Sequence, residues 1–137
     1  MQNNYLLVVV ITSILNYMFF ASGFDKLFNY SKVVNGLNNR LGSLMPFSVY
    51  KILIAFAILI ELICPMVIFY SSLVRNKKND RYAMFASVML IVFTIFATLF
   101  YHFPPTTSAK YYPFMSNLSL VGGLCLMTLV FYRNALL

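Results

Sequence analysis

Glu61 is the residue of this chain whose chemistry most needs an explanation, because it lies inside a long apolar run. An ionisable side chain at bilayer depth costs about 3 kcal/mol to insert, so it usually faces other helices and finds a partner there. Pro65 follows four residues later, and its ring removes one N–H donor and crowds the carbonyl of Glu61. The two residues together predict a helix kink that frees a backbone acceptor beside the carboxyl group.

Five further polar residues could act with Glu61 as ligand or proton-relay groups: Lys26, His102, Asn117, Asn16 and Thr94. At about 1.5 Å per residue, Asn16, Glu61 and Thr94 all lie roughly 12–15 Å into the membrane, and the other three lie nearer one surface. A lysine stem can carry its ammonium several ångströms inward or outward. The spacing predicts a polar funnel leading to Glu61. The alternative is that Glu61 hydrogen-bonds Asn16 or Thr94 and only fixes helix register.

Complete catalytic and metal-binding motifs are missing from the sequence. His102 has no second histidine or acidic neighbour that would complete a metal-ligand set. Cys64 and Cys125 match no metal-ligand spacing, and we expect free thiols buried among apolar side chains. No haem, flavin or iron–sulfur ligation pattern is visible. The sequence therefore indicates no metal site and no evident cofactor, with quinone or bound lipid as the candidate ligands, and it favours a protein that is not an enzyme.

The composition indicates a membrane protein. Of 137 residues, 61% are hydrophobic and 9% are charged, far from the roughly 25% charged residues of soluble domains. The net charge of +7 could suggest nucleic-acid binding. The basic residues, however, are scattered at the ends of apolar runs, where they anchor helices at headgroups. We therefore expect membrane lipids as partners, and no nucleic acid.

Four apolar runs are long enough to cross a ~30 Å hydrocarbon core. They cover about residues 5–24, 47–73, 82–101 and 114–132, and we expect the first to be an uncleaved span rather than a signal peptide. Residues 25–47 carry apolar side chains at spacings of three and four, which favours an amphipathic helix in the headgroup plane over an irregular loop. The predicted fold is all-α: a polytopic four-transmembrane-helix bundle with an amphipathic interfacial helix between spans 1 and 2.

An even number of spans places both termini on one side of the membrane. Basic residues divide five against five between the two sides. The dense polar run at residues 75–81, which we expect to form a surface turn, resists translocation more than scattered charges do. We therefore predict termini on the cytoplasmic or inner side. In the fourth span, Ser119, Gly122 and Gly123 would let a neighbouring helix approach closely.

The order of these features resembles the DoxX-like family of small four-helix membrane proteins. The segment Ser22-Gly23-Phe24-Asp25-Lys26-Leu27 closes the first span, Glu61 lies in the second, His102 ends the third, and Asn117 precedes Gly122-Gly123 in the fourth. The arginine that many relatives carry early in the first helix is missing here. The resemblance implies a single DoxX-like transmembrane domain over residues 1–137. Relatives include a small membrane subunit associated with thiosulfate:quinone oxidoreductase, cargo receptors and assembly chaperones.

Three functional hypotheses follow. The preferred one is a non-catalytic accessory subunit or assembly factor of a larger membrane complex, respiratory or quinone-linked, because packing against other membrane subunits or further copies requires no chemistry. The second is a quinone-linked oxidoreductase membrane subunit that exchanges protons through Glu61 and His102. The third is a lipid or cargo receptor that uses the polar funnel. A redox role would favour an energy-transducing membrane, such as the bacterial or mitochondrial inner membrane.

Overall fold

The structure, a computed structural model, describes residues 2–136, with the side chains of all of these except residues 2–5 and 43. Helices make up nearly all of this part of the chain, and no strand occurs in it. The helices are α1 (Gln2–Phe28), α2 (Tyr30–Leu41), α3 (Phe47–Leu73), α4 (Lys77–His102) and α5 (Ser108–Leu136). Four of them, α1, α3, α4 and α5, are long and apolar enough to cross a membrane. The predicted fold class is confirmed.

Helix α3 lies at the middle of the bundle. It packs against α1 on one side and α4 on the other, α5 packs along α4, and α5 touches α1 more lightly. A core cluster joins these helices away from α2: Phe19, Ile68, Ala83, Ala86, Leu90, Leu124, Met127 and Phe131. The outward faces are apolar too, as expected for helices surrounded by lipid.

The amphipathic helix α2 packs against α3. Its apolar face buries Val34 and Leu37 against Tyr50, Ile54 and Ile58. The end of α2 is set by Gly42, whose φ of 62° is a left-handed conformation that glycine adopts readily. The polar face of α2 stays exposed.

Three hydrogen bonds hold α2 in place. The Tyr50 hydroxyl donates to the Gly42 carbonyl at 3.0 Å, and the Tyr30 hydroxyl donates to the Lys51 carbonyl at 2.7 Å. Arg40 donates to the Phe103 carbonyl at 3.2 Å, which ties α2 to the end of α4. The helix is therefore attached to two spans rather than only lying beside them.

The prediction of a surface turn over residues 75–81 is wrong for most of its length. Helix α4 already begins at Lys77, because the side chain of Asn76 accepts a hydrogen bond from the Asn79 N–H and caps the helix. Asp80 in the first turns of α4 is only 3% exposed. Arg75 and Ser71 provide its partners, which allows a carboxylate to be buried there.

Two glycines allow helices to approach each other closely. A Cβ at Gly23 would lie 3.0 Å from Leu62 Cδ2 and 3.2 Å from Glu61 Cβ, so α1 and α3 meet at this point. A Cβ at Gly123 would lie 3.1 Å from Leu15 Cδ2, where α5 meets α1. A Cβ at Gly122 would have nothing within 4 Å.

Helix α3 is continuous through Pro65, and the kink expected there stays a prediction.

Candidate functional site

Lys26 and Glu61 form a buried ion pair between α1 and α3. The Lys26 ammonium donates to Oε1 and to Oε2 of Glu61, at 2.8 Å each. It also donates to the Ser22 hydroxyl, which in turn donates to Glu61 Oε1 at 3.1 Å. The Glu61 side chain is 5% exposed and the Lys26 side chain 21%. The carboxyl group that the sequence placed at mid-depth thus has a charged partner.

The local sequence of α1 builds this pair. Ser22 and Lys26 are four residues apart, so they lie one above the other on the same face of the helix. Gly23 lies beside them and brings the α1 backbone against α3 at Glu61. Sequence reasoning did not single out Ser22, although its four-residue spacing from Lys26 and its position next to Gly23 were signals of this arrangement.

Glu61 does not bond to Asn16 or Thr94, so the alternative in which one of these two side chains holds it is wrong. The Thr94 hydroxyl donates to the Leu90 carbonyl of its own helix at 2.7 Å. The Asn16 amide is 2% exposed, and neither of its polar atoms has a hydrogen-bond partner among the described residues. The physical reason is that the lysine stem reaches the level of Glu61, and an ammonium is a stronger donor than an amide or hydroxyl.

A cavity of about 650 Å³ lies between the spans and has Lys26 and Glu61 in its wall. Three more of the predicted site residues, Thr94, His102 and Asn117, line it as well. Asn16 does not belong to its lining. The structure therefore brings five of the six candidate residues to one cavity and leaves the sixth in the packed interior of the bundle.

The rest of the cavity wall is mainly apolar and rich in aromatic rings. These rings come from α1, α3 and α4: Phe19, Phe56, Phe93, Phe96, Phe100 and Tyr101. The cavity reaches the outer surface of the bundle, because lining residues such as Phe56 (60% exposed) and Phe96 (54% exposed) also face outward. The apolar face of α2 contributes Val33, Leu37 and Leu41 to the wall. An amphiphilic molecule could enter from the lipid and reach the ion pair.

A short hydrogen-bond chain fixes the orientation of Asn117. The Thr98 hydroxyl donates its only hydrogen to the Thr94 carbonyl at 2.6 Å. Asn117 must therefore donate to Thr98 through Nδ2, and the two atoms are 3.0 Å apart. Asn117 Oδ1, an acceptor, has no partner among the described residues.

The remaining candidate groups are placed more loosely. His102 is half-buried at the end of α4, and the centroid of its ring is 6.4 Å from that of the Tyr101 ring.

Both cysteines are free, but Cys125 is exposed on the lipid-facing side of α5, so the expectation of buried thiols is wrong for it. A short side chain on an outward face of the helix needs no burial in a lipid solvent. Among the described residues, no three His, Cys, Asp or Glu side chains are grouped so as to hold a metal ion.

Comparison with protein-family models matches residues 7–103 to the DoxX model. The chain belongs to the DoxX family. Searches of curated proteins and of solved structures found no significant match. The segment that matches DoxX contains Lys26, Glu61 and His102, whereas Asn117 on α5 lies outside it. DoxX membership and the four apolar helices together establish a multi-pass integral membrane protein.

Proposed function

We propose that this protein is a non-catalytic membrane-embedded binding protein for an amphiphile with a flat, hydroxylated aromatic head, the chemistry of a hydroquinone. The observation that carries the proposal is the position of the Lys26–Glu61 pair in the wall of an apolar cavity that opens toward lipid. Ligand sites of this kind are mostly apolar, with a few polar groups that fix orientation. A cavity of about 650 Å³ is within the range of small-molecule sites.

The hydrogen bonds of the wall favour a head group that donates. All three N–H groups of Lys26 are already used, one on Ser22 and two on Glu61. Glu61 Oε2 accepts only from Lys26, and Asn117 Oδ1 accepts from no described residue. The wall thus offers acceptors, which pair with the hydroxyls of a quinol better than with the carbonyls of a quinone.

The aromatic rings of the wall favour a planar head over a phospholipid headgroup. Phe96 and Phe100 stack on each other with ring centroids 6.2 Å apart, and both line the cavity. Offset-stacked and edge-to-face ring contacts contribute about 0.5–1.5 kcal/mol beyond the burial of apolar area. The tail of such a ligand would leave through the outward-facing part of the cavity, next to Phe56.

A cavity-blocking variant tests this proposal. Ala97→Phe places a ring in the wall of the cavity, and Ala55→Phe places the same ring on an exposed face of the same bundle as a control. In lipid nanodiscs under reducing conditions, a short-chain quinol should bind to the unmodified protein and to Ala55→Phe, and binding should fall at least tenfold in Ala97→Phe. Equal binding to all three proteins, or to none, would exclude the cavity as the site.

A second candidate function is that of an accessory subunit or assembly factor. Ser119 is exposed on α5, and a Cβ at Gly122 would have nothing within 4 Å, so a small-residue face remains outside the bundle. Such faces let transmembrane helices pack closely. Replacement of Gly122 by Leu should then remove the protein from a larger particle in blue-native gels, whereas Ala55→Leu, the same side chain introduced on an exposed face of α3, should leave the particle intact.

We also propose that the protein lies in an energy-transducing membrane, where quinols are found. Both of its termini would then be on the inner side. Lys77 at the start of α4 and Lys110 at the start of α5 lie at opposite ends of the bundle. In a background without the native cysteines, an impermeant maleimide should label Lys110→Cys on intact cells and Lys77→Cys only after permeabilisation. The reverse pattern would invert the orientation.

A further inference from the structure

A second groove lies between α3 and α4, at the end of the bundle away from α2. Its volume is about 640 Å³, and it shares no lining residue with the central cavity. The residues that line it change from apolar to polar toward the membrane surface: Met66, Val67, Tyr70 and Ser71 on α3, and Ala86, Tyr82 and Asn79 on α4. Met66, Tyr70 and Tyr82 are more than half exposed, so the groove is open to lipid along its length.

The polar end of this groove carries uncompensated positive charge. Lys77, Lys78 and Arg81 are exposed in the first turns of α4. Asp80, the acidic residue in the same turns of α4, is 3% exposed and is already paired with Arg75 at 3.8 Å. Asp80 therefore does not neutralise the exposed cations.

Among the exposed cations in the first turns of α4, Lys78 shares a helix face with Tyr82, which lines the groove. It lies four residues before Tyr82, so the two side chains are neighbours on one face of α4. Tyrosine hydroxyls at such a depth commonly contact lipid headgroups, and a lysine ammonium pairs with phosphate as a point charge. The groove thus has an apolar wall for an acyl chain, and Tyr70, Ser71 and Tyr82 add hydroxyls toward the end where Lys78 could pair with an anionic head.

We infer that this groove binds an anionic phospholipid, with one acyl chain against Met66, Val67 and Ala86 and the phosphate against Lys78. Charge complementarity selects the anionic lipid over a zwitterionic one, since a choline head would bring its own cation to the basic end. The apolar wall accounts for the acyl chain, because apolar surface is covered by lipid tails at this depth. This site is separate from the quinol site, and it does not depend on that proposal.

Photolabelling of the full chain tests the site. The protein is reconstituted in nanodiscs with phosphatidylglycerol that carries a diazirine in its acyl chain, or with the matching phosphatidylcholine. Adducts of the anionic lipid should concentrate on peptides covering residues 66–70 and 82–86. Lys78→Gln should lower them about fivefold, the effect expected for one lysine near an anionic headgroup. Lys51→Gln, an exposed cation at the other surface, should leave them unchanged.

The inference would be overturned by equal labelling by the two lipids, by unchanged labelling in Lys78→Gln, or by adducts spread evenly over the outer faces of the spans. Cross-linking of the groove to a second copy of the chain would also contradict it, because the groove would then be a protein interface. Both substitutions are on exposed side chains, so we expect folded protein in each case.

Discussion

The ammonium of Lys26 lies 2.8 Å from each carboxylate oxygen of Glu61, and this pair joins α1 to α3 at the wall of the central cavity. Breaking a buried pair by removing one partner costs several kcal/mol, because the other charge is left without compensation. The cost of removing Glu61 is smaller, since a fifth of the Lys26 side chain is exposed and its stem can turn toward the surface.

The first prediction concerns the stability of this pair. Glu61→Gln should lower the free energy of unfolding by about 2 kcal/mol. Lys26→Met should lower it by at least as much, because the Glu61 side chain left behind is only 5% exposed. The double variant should lose less than the sum, with a coupling of about 1–2 kcal/mol. The measurement is a double-mutant cycle from unfolding in mixed micelles. Additive losses would mean that the two charges do not interact.

The second prediction compares a glycine at a helix contact with a glycine on an exposed helix face. Gly23→Leu should destabilise the protein by about 2 kcal/mol or more, because a Cβ there already meets Leu62 and Glu61 at 3.0–3.2 Å. Gly122→Leu should be neutral or slightly stabilising in the isolated protein, since its Cβ meets nothing within 4 Å. Thermal unfolding of both variants provides the comparison, and equal losses would contradict the close approach of α1 and α3.

The third prediction concerns the attachment of α2. Tyr50 is fully buried, and its hydroxyl donates to the Gly42 carbonyl at the end of α2. Tyr50→Phe should cost about 1 kcal/mol and increase amide exchange over residues 36–47. Tyr30→Phe removes an exposed hydrogen bond and should have a smaller effect. Unchanged exchange in Tyr50→Phe would show that apolar packing alone holds α2.

The fourth prediction tests the orientation of Asn117. In Thr98→Val the Asn117 amide loses its acceptor and is free to present N–H groups instead of Oδ1. The preference for quinol over quinone should fall by about fivefold, equivalent to one hydrogen bond. Thr106→Val, on an exposed loop, is the control. Competition binding under controlled redox conditions measures the ratio. An unchanged ratio in Thr98→Val would remove Asn117 from the site.

The architecture could be predicted because hydrophobic run length and period are local properties of the sequence. Residues 47–73 were predicted as a span, and α3 has these bounds. The start of α4 was missed by five residues, since charged residues in a first turn resemble a loop unless the cap and the partners of Asp80 are known. Such partners come from tertiary contacts and are not visible in the local pattern.

The sequence predicted most of the polar residues of the cavity wall but not the hydrogen bonds between them, and Asn16, which was expected at the same depth, does not line the cavity. Position along each helix predicted that five polar residues lie in one region. All five line the cavity: Lys26, Glu61, His102, Asn117 and Thr94. Which of them bond to each other depends on helix rotation and on the close approach at Gly23, and neither follows from residue spacing in one chain. The spacing of Ser22 and Lys26 was a signal in the sequence, but the hydrogen bond from Ser22 to Glu61 and the unpaired amide of Asn16 depend on tertiary contacts.

Native mass spectrometry of protein extracted from its own membrane under inert gas tests the central claim most directly. The unmodified protein and Ala55→Phe should carry the mass of an aromatic amphiphile, and Ala97→Phe should have lost it. A phospholipid in the α3–α4 groove would remain in all three, so the two sites are distinguished. If no aromatic amphiphile is present in the unmodified protein, or if Ala97→Phe keeps it, the central cavity is not a quinol site.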